Sequence, residues 1–370
     1  MITIDLEKKM VAPSVMSPLK HCGKPIDYHG KKWSRSVTAP DGSIYLDRQG
    51  SGGYRYSSDR LEPCDVRGLF ENSRPDRGCP EFAYYWDAEL LLVIEGLSCR
   101  QSARRGDYRL TLRRAEAHPR NALETCTPME AVLHVPEAGN QISTTDGGWQ
   151  GLFFYGARNI VRLPDGALLA SMQGCFETDR IAPGDAQSKR ETVYKLRTFV
   201  VRSEDGGRSW RYLSTVAAPV SEDPVGEGFD EPALCMLESG ELLCVMRTGH
   251  YSPLYCSWSR DEGKHWTDPV YTGFERGCAP CLLRLRDGRV ALVYGQRFPV
   301  GVSLPRCEPR WSWPGCGLVR LAVSEDGRGR QWTDTVIGTH MGSCYATIHE
   351  PEPKRLVCQT DGWYWKLDVT

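Results

Sequence analysis

Ser203-Glu204-Asp205-Gly206-Gly207-Arg208-Ser209-Trp210 decides the fold, because it occurs more than once. It returns as Ser259-Arg260-Asp261-Glu262-Gly263-Lys264-His265-Trp266. It returns again, with one inserted residue, as Ser324-Glu325-Asp326-Gly327-Arg328-Gly329-Arg330-Gln331-Trp332. Thr144-Thr145-Asp146-Gly147-Gly148-Trp149 is a degenerate copy, and Ser57-Ser58-Asp59 a fainter one. The pattern Ser-x-Asp-x-Gly-x-x-Trp has a local physical meaning. Ser and Asp side chains bond backbone groups of a tight turn, Gly supplies positive φ, and Trp folds back as an apolar plug. Alternating apolar stretches such as Thr198-Phe199-Val200-Val201-Arg202 precede the copies, so the unit is a hairpin turn between strands.

A second repeat interleaves with the first. Apolar strands flank a turn in Ser36–Tyr45, Ile160–Leu169, Ala233–Leu243 and Leu282–Ala291, with Gly at 42, 166, 240 and 288. Asp-Gly between apolar strands is a strong hairpin signal. Thr347–Val357 is a fifth copy in which Lys354 stands where Gly stood. The gap between the turns at 42 and 166 is double the others, and Glu89–Ile94 and Tyr108–Leu112 supply strands to fill it. Two hairpins per unit make four strands, the size of a propeller blade. The expectation is an all-β, six-bladed β-propeller forming a single domain over 1–370. Alternating Ile2, Ile4 and Leu6 offer a strand to close the ring. Residues 61–82, 115–140 and 299–316 read as irregular, and no amphipathic helix stands out.

Composition excludes several function classes. Of 370 residues, Lys and Arg total 46 against 47 Asp and Glu, so nothing suggests a general attraction to nucleic acid or anionic membrane. Hydrophobic content of 40% with 37 Gly and 24 Pro is turn-rich and globular, not disordered. No apolar stretch approaches the ~20 residues of a membrane span, and the first residues carry no secretory pattern. Many of the 15 cysteines, Cys244 and Cys358 among them, sit inside apolar runs and read as small buried hydrophobes. The expected location is therefore cytoplasmic, a reducing compartment, unless a leader has been removed. Cys278-Ala279-Pro280-Cys281 has half the spacing of a zinc site, but no second close pair accompanies it, so no metal is expected.

In a propeller, chemistry belongs near the axis, at the open ends of each unit's first strands. Those positions carry Trp33-Ser34-Arg35, Tyr155-Gly156-Ala157-Arg158-Asn159, Phe229-Asp230-Glu231-Pro232, Arg247-Thr248-Gly249-His250, Gly295-Gln296-Arg297 and Gly342-Ser343-Cys344-Tyr345. Arginines from separate units around one axis form a cationic cup, and their planar forks suit a carboxylate.

These motifs resemble the sialidase superfamily of Asp-box (BNR) β-propellers, most clearly over residues 150–365 and weakly back to residue 33. Glu231-Pro232 and Arg247-Thr248 resemble the segment with the catalytic Glu and an arginine of the triad. Gly342-Ser343-Cys344-Tyr345-Ala346-Thr347 resembles the segment with the tyrosine nucleophile. The resemblance implies an exo-glycosidase that removes a terminal acidic sugar with retention and needs no cofactor. Tyr345 is then the nucleophile and Glu231 its base. Arg247 holds the substrate carboxylate, with Arg297 and either Arg35 or Arg158 beside it. Asp47 (after Arg35) or Asp179 (after Arg158) is the acid/base. The family's (Phe/Tyr)-Arg-Ile-Pro motif is absent: Arg35 precedes Ser36-Val37, and Arg158 precedes Asn159-Ile160. Arg320 competes with Arg297 as third arginine. Two alternatives follow from these departures: a lyase acting on uronic acids, and a non-catalytic propeller binding a glycan or protein. The partner expected is an acidic glycan; oligomeric state is open.

Overall fold

The Ser-x-Asp-x-Gly-x-x-Trp turns close as their chemistry requires. Ser203 Oγ donates to Asp205 Oδ1 (2.9 Å) and accepts from Gly207 N (2.8 Å), while Ser209 N donates to Asp205 Oδ1 (2.9 Å). Trp210 Nε1 bonds Gly207 O at 3.0 Å and its ring is buried. The same bonds recur from Gly263 N to Ser259 Oγ, from Trp266 to Gly263, from Gly329 N to Ser324 Oγ and from Trp332 to Gly329. Against the opposing effect of partial burial, hydroxyl and backbone N–H donors within the turns hold Asp205 and Asp326 below the usual carboxylate range, and the His265 side chain and N–H with the Ser259 hydroxyl hold Asp261 at about 2. Each turn links the outer two strands of a four-strand meander.

The computed structural model describes residues 36–47, 53–57, 60–64, 82–95, 99–116, 126–138, 152–154, 156, 158–180, 194–219, 228–249, 252–298, 316–341, 345–360 and 363–369. The strand proposed at Ile2, Ile4 and Leu6 lies outside them, as do Arg35 and the turn at 144–149. The first meander is β1 (Ser36–Thr38), β2 (Ile44–Asp47), β3 (Gly53–Ser57) and β4 (Arg60–Cys64). The second is β5 (Phe82–Trp86), β6 (Leu90–Glu95), β8 (Asp107–Glu116) and β9 (Thr127–His134), with the short β7 (Arg100–Gln101) beside β8. In the third, β10 (Leu152–Phe154) and β11 (Ile160–Arg162) pair successive parts of β12 (Leu168–Arg180), followed by β13 (Tyr194–Ser203) and β14 (Ser209–Ala217). The fourth is β15 (Asp230–Met236), β16 (Leu242–Arg247), β17 (Tyr255–Ser259) and β18 (Val270–Tyr271). The fifth is β19 (Gly277–Arg284), β20 (Val290–Arg297), β21 (Cys316–Ser324) and β22 (Trp332–Met341). Last come β23 (Thr347–Glu352), β24 (Arg355–Thr360) and β25 (Trp363–Asp368). The protein is all-β, and the described residues hold no α-helix. One 3-10 turn spans Pro136–Ala138.

Two expectations change. Residues 115–140 are not irregular, because they contain β9. Ala131 and Leu133 alternate inward, and Trp210 and Leu133 face each other where β14 pairs β9 in parallel. That parallel pairing fuses the second and third meanders into one sheet. Likewise 61–82 begins within β4.

Apolar clusters fill the spaces between consecutive meanders. Val37, Tyr84 and Leu91 join the first and second, Leu92, Leu133, Phe154 and Trp210 the second and third, and Leu169, Val200, Leu234 and Leu242 the third and fourth. Leu243, Val245, Leu292 and Tyr294 join the fourth and fifth, and Val293, Val323, Ile348 and Trp365 the fifth and sixth. The first and last meanders meet through polar groups. Ser36 Oγ lies 2.7 Å from both Thr347 Oγ1 and His349 Nε2, and Thr38 Oγ1 lies 2.5 Å from His349 Nδ1.

His349 is fully buried, and burial, reinforced by the Arg158 cation, pushes its pKa well below the ordinary value. The folded state therefore keeps the ring neutral while the unfolded chain protonates near pH 6.5. Stability from this group is complete above that pH and declines as pH falls below it, by about 1 kcal/mol over the first pH unit. Denaturant unfolding at stepped pH should show this slope, and His349→Gln should remove it.

Candidate functional site

Glu231 is placed by a backbone irregularity just before a proline. It precedes Pro232, and it adopts φ +41 where β15 breaks register between Asp230 and Ala233. The next inner strand repeats this. Ala279 precedes Pro280, has φ +46, and sits where β19 breaks register between Cys278 and Cys281. Glu231 and Ala279 each stand nine residues before a positive-φ turn residue, Gly240 and Gly288. Tyr345 stands nine residues before Lys354, the positive-φ turn residue of the last meander. Three consecutive units thus put the same repeat position to use, with three different residues.

Those three residues converge. Ala279 N–H donates to Glu231 Oε2 at 2.6 Å, and the Tyr345 hydroxyl stands 3.5 Å from Glu231 Oε1. Arg247 Nη1 donates to Glu231 Oε1 at 2.8 Å and to Asp230 Oδ2 at 3.1 Å. The Glu231 N–H donates to Gln173 Oε1, and the Asn159 amide holds the Pro232 carbonyl, so β12 and the start of β11 also fix the bulge. Glu231, Asp230 and Arg247 are 3%, 2% and 6% exposed, and Tyr345 is half-buried. Buried charges persist when paired and hydrogen-bonded, and this carboxylate has a partner on each oxygen.

Arg297, at the end of β20, is buried, and its N–H bonds Arg276 O. It joins the same cluster. The buried Cys278 thiol is pushed up by desolvation and feels Arg297, then Glu231, then Arg247. Arg320, its rival, is instead paired with Asp334 (2.7 Å) and bonded to Gln296 Oε1 (3.1 Å).

Two of the other expected residues, Arg158 and Asp179, are engaged elsewhere. Arg158 points into the polar junction: its Nε donates to Ile348 O (2.9 Å), and its Nη2 reaches Thr38 Oγ1 (2.6 Å) and His349 Nδ1 (3.3 Å). Its guanidinium also covers the Tyr84 ring. Asp179 is buried with both oxygens on Arg197, Oδ2 to Nε at 2.9 Å and Oδ1 to Nη2 at 2.5 Å. The Arg197 guanidinium in turn lies 4.5 Å from the centre of the Phe176 ring. Asp47 ends β2, one residue past Leu46, the partner of Ser36. That end of the meander lies opposite its Gly42 turn, as Glu231 and Arg247 lie opposite the Gly240 turn.

Sequence reasoning missed the Ala279 N–H, Gln173 and the bridging role of Asp230. The first was accessible by aligning Asp230-Glu231-Pro232 with Cys278-Ala279-Pro280 on their turn residues. Gln173 lies in a different unit and leaves no such signal.

Residues 158–337 match the BNR repeat-like domain family. None of the curated proteins matches the chain. Among solved structures, a protein of unknown function from Dyadobacter fermentans aligns with 16% identity and a TM-score of 0.59, over 91% of this chain and 94% of its own. A Hadza microbial sialidase aligns with 13% identity and a TM-score of 0.54, over 93% of this chain and 66% of its own. At these identities the likeness is one of fold.

The bulge makes a specific demand. Positive φ costs a β-branched residue more than alanine and costs glycine nothing. Ala279→Val should lower unfolding free energy by about 2 kcal/mol, whereas Ala279→Gly should stay within about 0.5 kcal/mol of wild type in denaturant titrations.

Proposed function

We propose that the chain, whose residues 158–337 match the BNR repeat-like domain family, is a sialidase-like member of that superfamily and a retaining exo-glycosidase acting on a terminal acidic sugar. The observation that carries this reading is the Glu231 carboxylate shared by Arg247, the Ala279 N–H and the Tyr345 phenol. We also propose that the six meanders are blades of one propeller, formed by a single domain over 1–370. The circuit of inter-meander clusters and the polar junction of β1 with β23 support that architecture.

In this mechanism the sugar sits with its anomeric carbon over the Tyr345 oxygen. A sugar carboxylate beside that carbon would repel a carboxylate nucleophile; a neutral phenol meets no such repulsion. Phenol has a reference pKa near 10, so its proton must leave as the oxygen attacks. Glu231 Oε1, 3.5 Å away, accepts it, and this contact tightens as the proton transfers. An acid protonates the departing glycosidic oxygen. Asp179 is occupied by Arg197, which favours Asp47 in that role. The same residue, now a base, activates water against the glycosyl-tyrosine, and the phenolate takes its proton back from Glu231. Arg247 and Arg297 hold the sugar carboxylate. Arg158 instead ties the junction of first and last blades, and Arg35 lies outside the described residues. The substrate is an acidic glycan, and the mechanism uses no cofactor.

The test is hydrolysis of a fluorogenic sialoside. Tyr345→Phe and Glu231→Gln should each lower kcat by about 100-fold or more, the scale of lost nucleophilic or base catalysis. Hydrolysis by Tyr345→Phe at the wild-type rate would remove Tyr345 from the mechanism.

A further inference from the structure

Arg247 serves two carboxylates before any substrate arrives. Its Nη1 carries two hydrogens, and these meet Glu231 Oε1 at 2.8 Å and Asp230 Oδ2 at 3.1 Å. Asp230 cannot drift from this place, because it is the backbone partner of Arg247 across β15 and β16. Both acids and the guanidinium are buried, so solvent screens their interaction weakly. Among the described residues, the carboxyl groups of Asp230 and Glu231 both draw on the one Arg247 guanidinium. A sugar carboxylate approaching Arg247 therefore enters a site whose nearest cation is already shared, and it meets the Asp230 charge.

The fold does not demand an acid here. In the next unit the equivalent residue, just before the bulge, is Cys278, and burial pushes that thiol up and so keeps it uncharged. The same bulge forms around a neutral side chain. The carboxylate at 230 is thus separable from the architecture, and its effect is electrostatic.

We propose that Asp230 is a specificity-determining residue: by sharing Arg247 with the incoming sugar, it weakens the hold on a full negative charge and broadens the site toward sugars of lower charge. This rests on the reading of Arg247 as a ligand for the sugar carboxylate. Replacing Asp230 by a neutral residue takes one carboxylate off Arg247 and strengthens anion binding selectively. An uncharged version of the same sugar gains nothing, since its contacts do not involve net charge.

The experiment is calorimetric titration of the whole chain with N-acetylneuraminic acid and with its methyl ester, using wild type, Asp230→Asn and Asp230→Ser. The serine variant approximates the small neutral occupant found at the equivalent position, so it covers the case in which asparagine disturbs folding. The account expects Kd for the acid to fall about tenfold in the variants, with the ester changing less than twofold. An acid Kd that stays level or rises, or a parallel shift for both ligands, overturns the role of Asp230 while leaving the carboxylate site intact. No binding of either ligand by any of the three proteins overturns the carboxylate site itself, and this proposal with it.

Discussion

A carboxylate buried to a few per cent exposure must find partners on both oxygens, and Glu231 draws them from several meanders. That requirement links parts of the chain far apart in sequence. The Ala279 N–H can point at Glu231 because the register breaks before Cys281; Arg247 can reach it because β16 returns to the open end of β15. Removing one partner from such a group strands a charge in a low-dielectric interior, at a cost of about 3–5 kcal/mol. Position and integrity of the site are therefore set by the same contacts.

The repeat accounts for how those contacts arose together. Glu231, Ala279 and Tyr345 occupy one repeat position in consecutive units. Packing consecutive sheets against one another through the apolar clusters between them brings equivalent positions of their first strands together. A local pattern repeated along the chain thus becomes a cluster in space, with a carboxylate, a backbone donor and a phenol as its members. Other contacts between meanders are structural: the first and last meet through Ser36, Thr38, Thr347 and His349, and Arg158 reaches into them.

The turns were legible in the sequence because their chemistry is local. Ser203, Asp205, Gly207 and Trp210 satisfy one another within eight residues, and the hairpin turns at Gly166, Gly240 and Gly288 follow from positive φ alone. The strand β9 was not legible, since Pro128 argues against a strand, the apolar Val132 stands on its exposed side, and its parallel partner β14 lies about 75 residues later. The convergence of Glu231, Arg247 and Tyr345 could be anticipated from their places at strand ends. The fate of Arg158 and Asp179 could not, because each is decided by a partner with no sequence signature: His349 and Thr38 for the first, Arg197 for the second. A charged residue near an open strand end is only a candidate until its nearest counter-charge is known.

The central claim is that the Tyr345 oxygen forms the bond to the sugar. A fluorinated sialic acid that acylates no group but forms a slow-turning glycosyl-enzyme tests it most directly, with peptide mass spectrometry locating the adduct. The account predicts one sugar per chain, attached to Tyr345 and absent from Tyr345→Phe. An adduct on Glu231, or on any other side chain with Tyr345 unmodified, would contradict it.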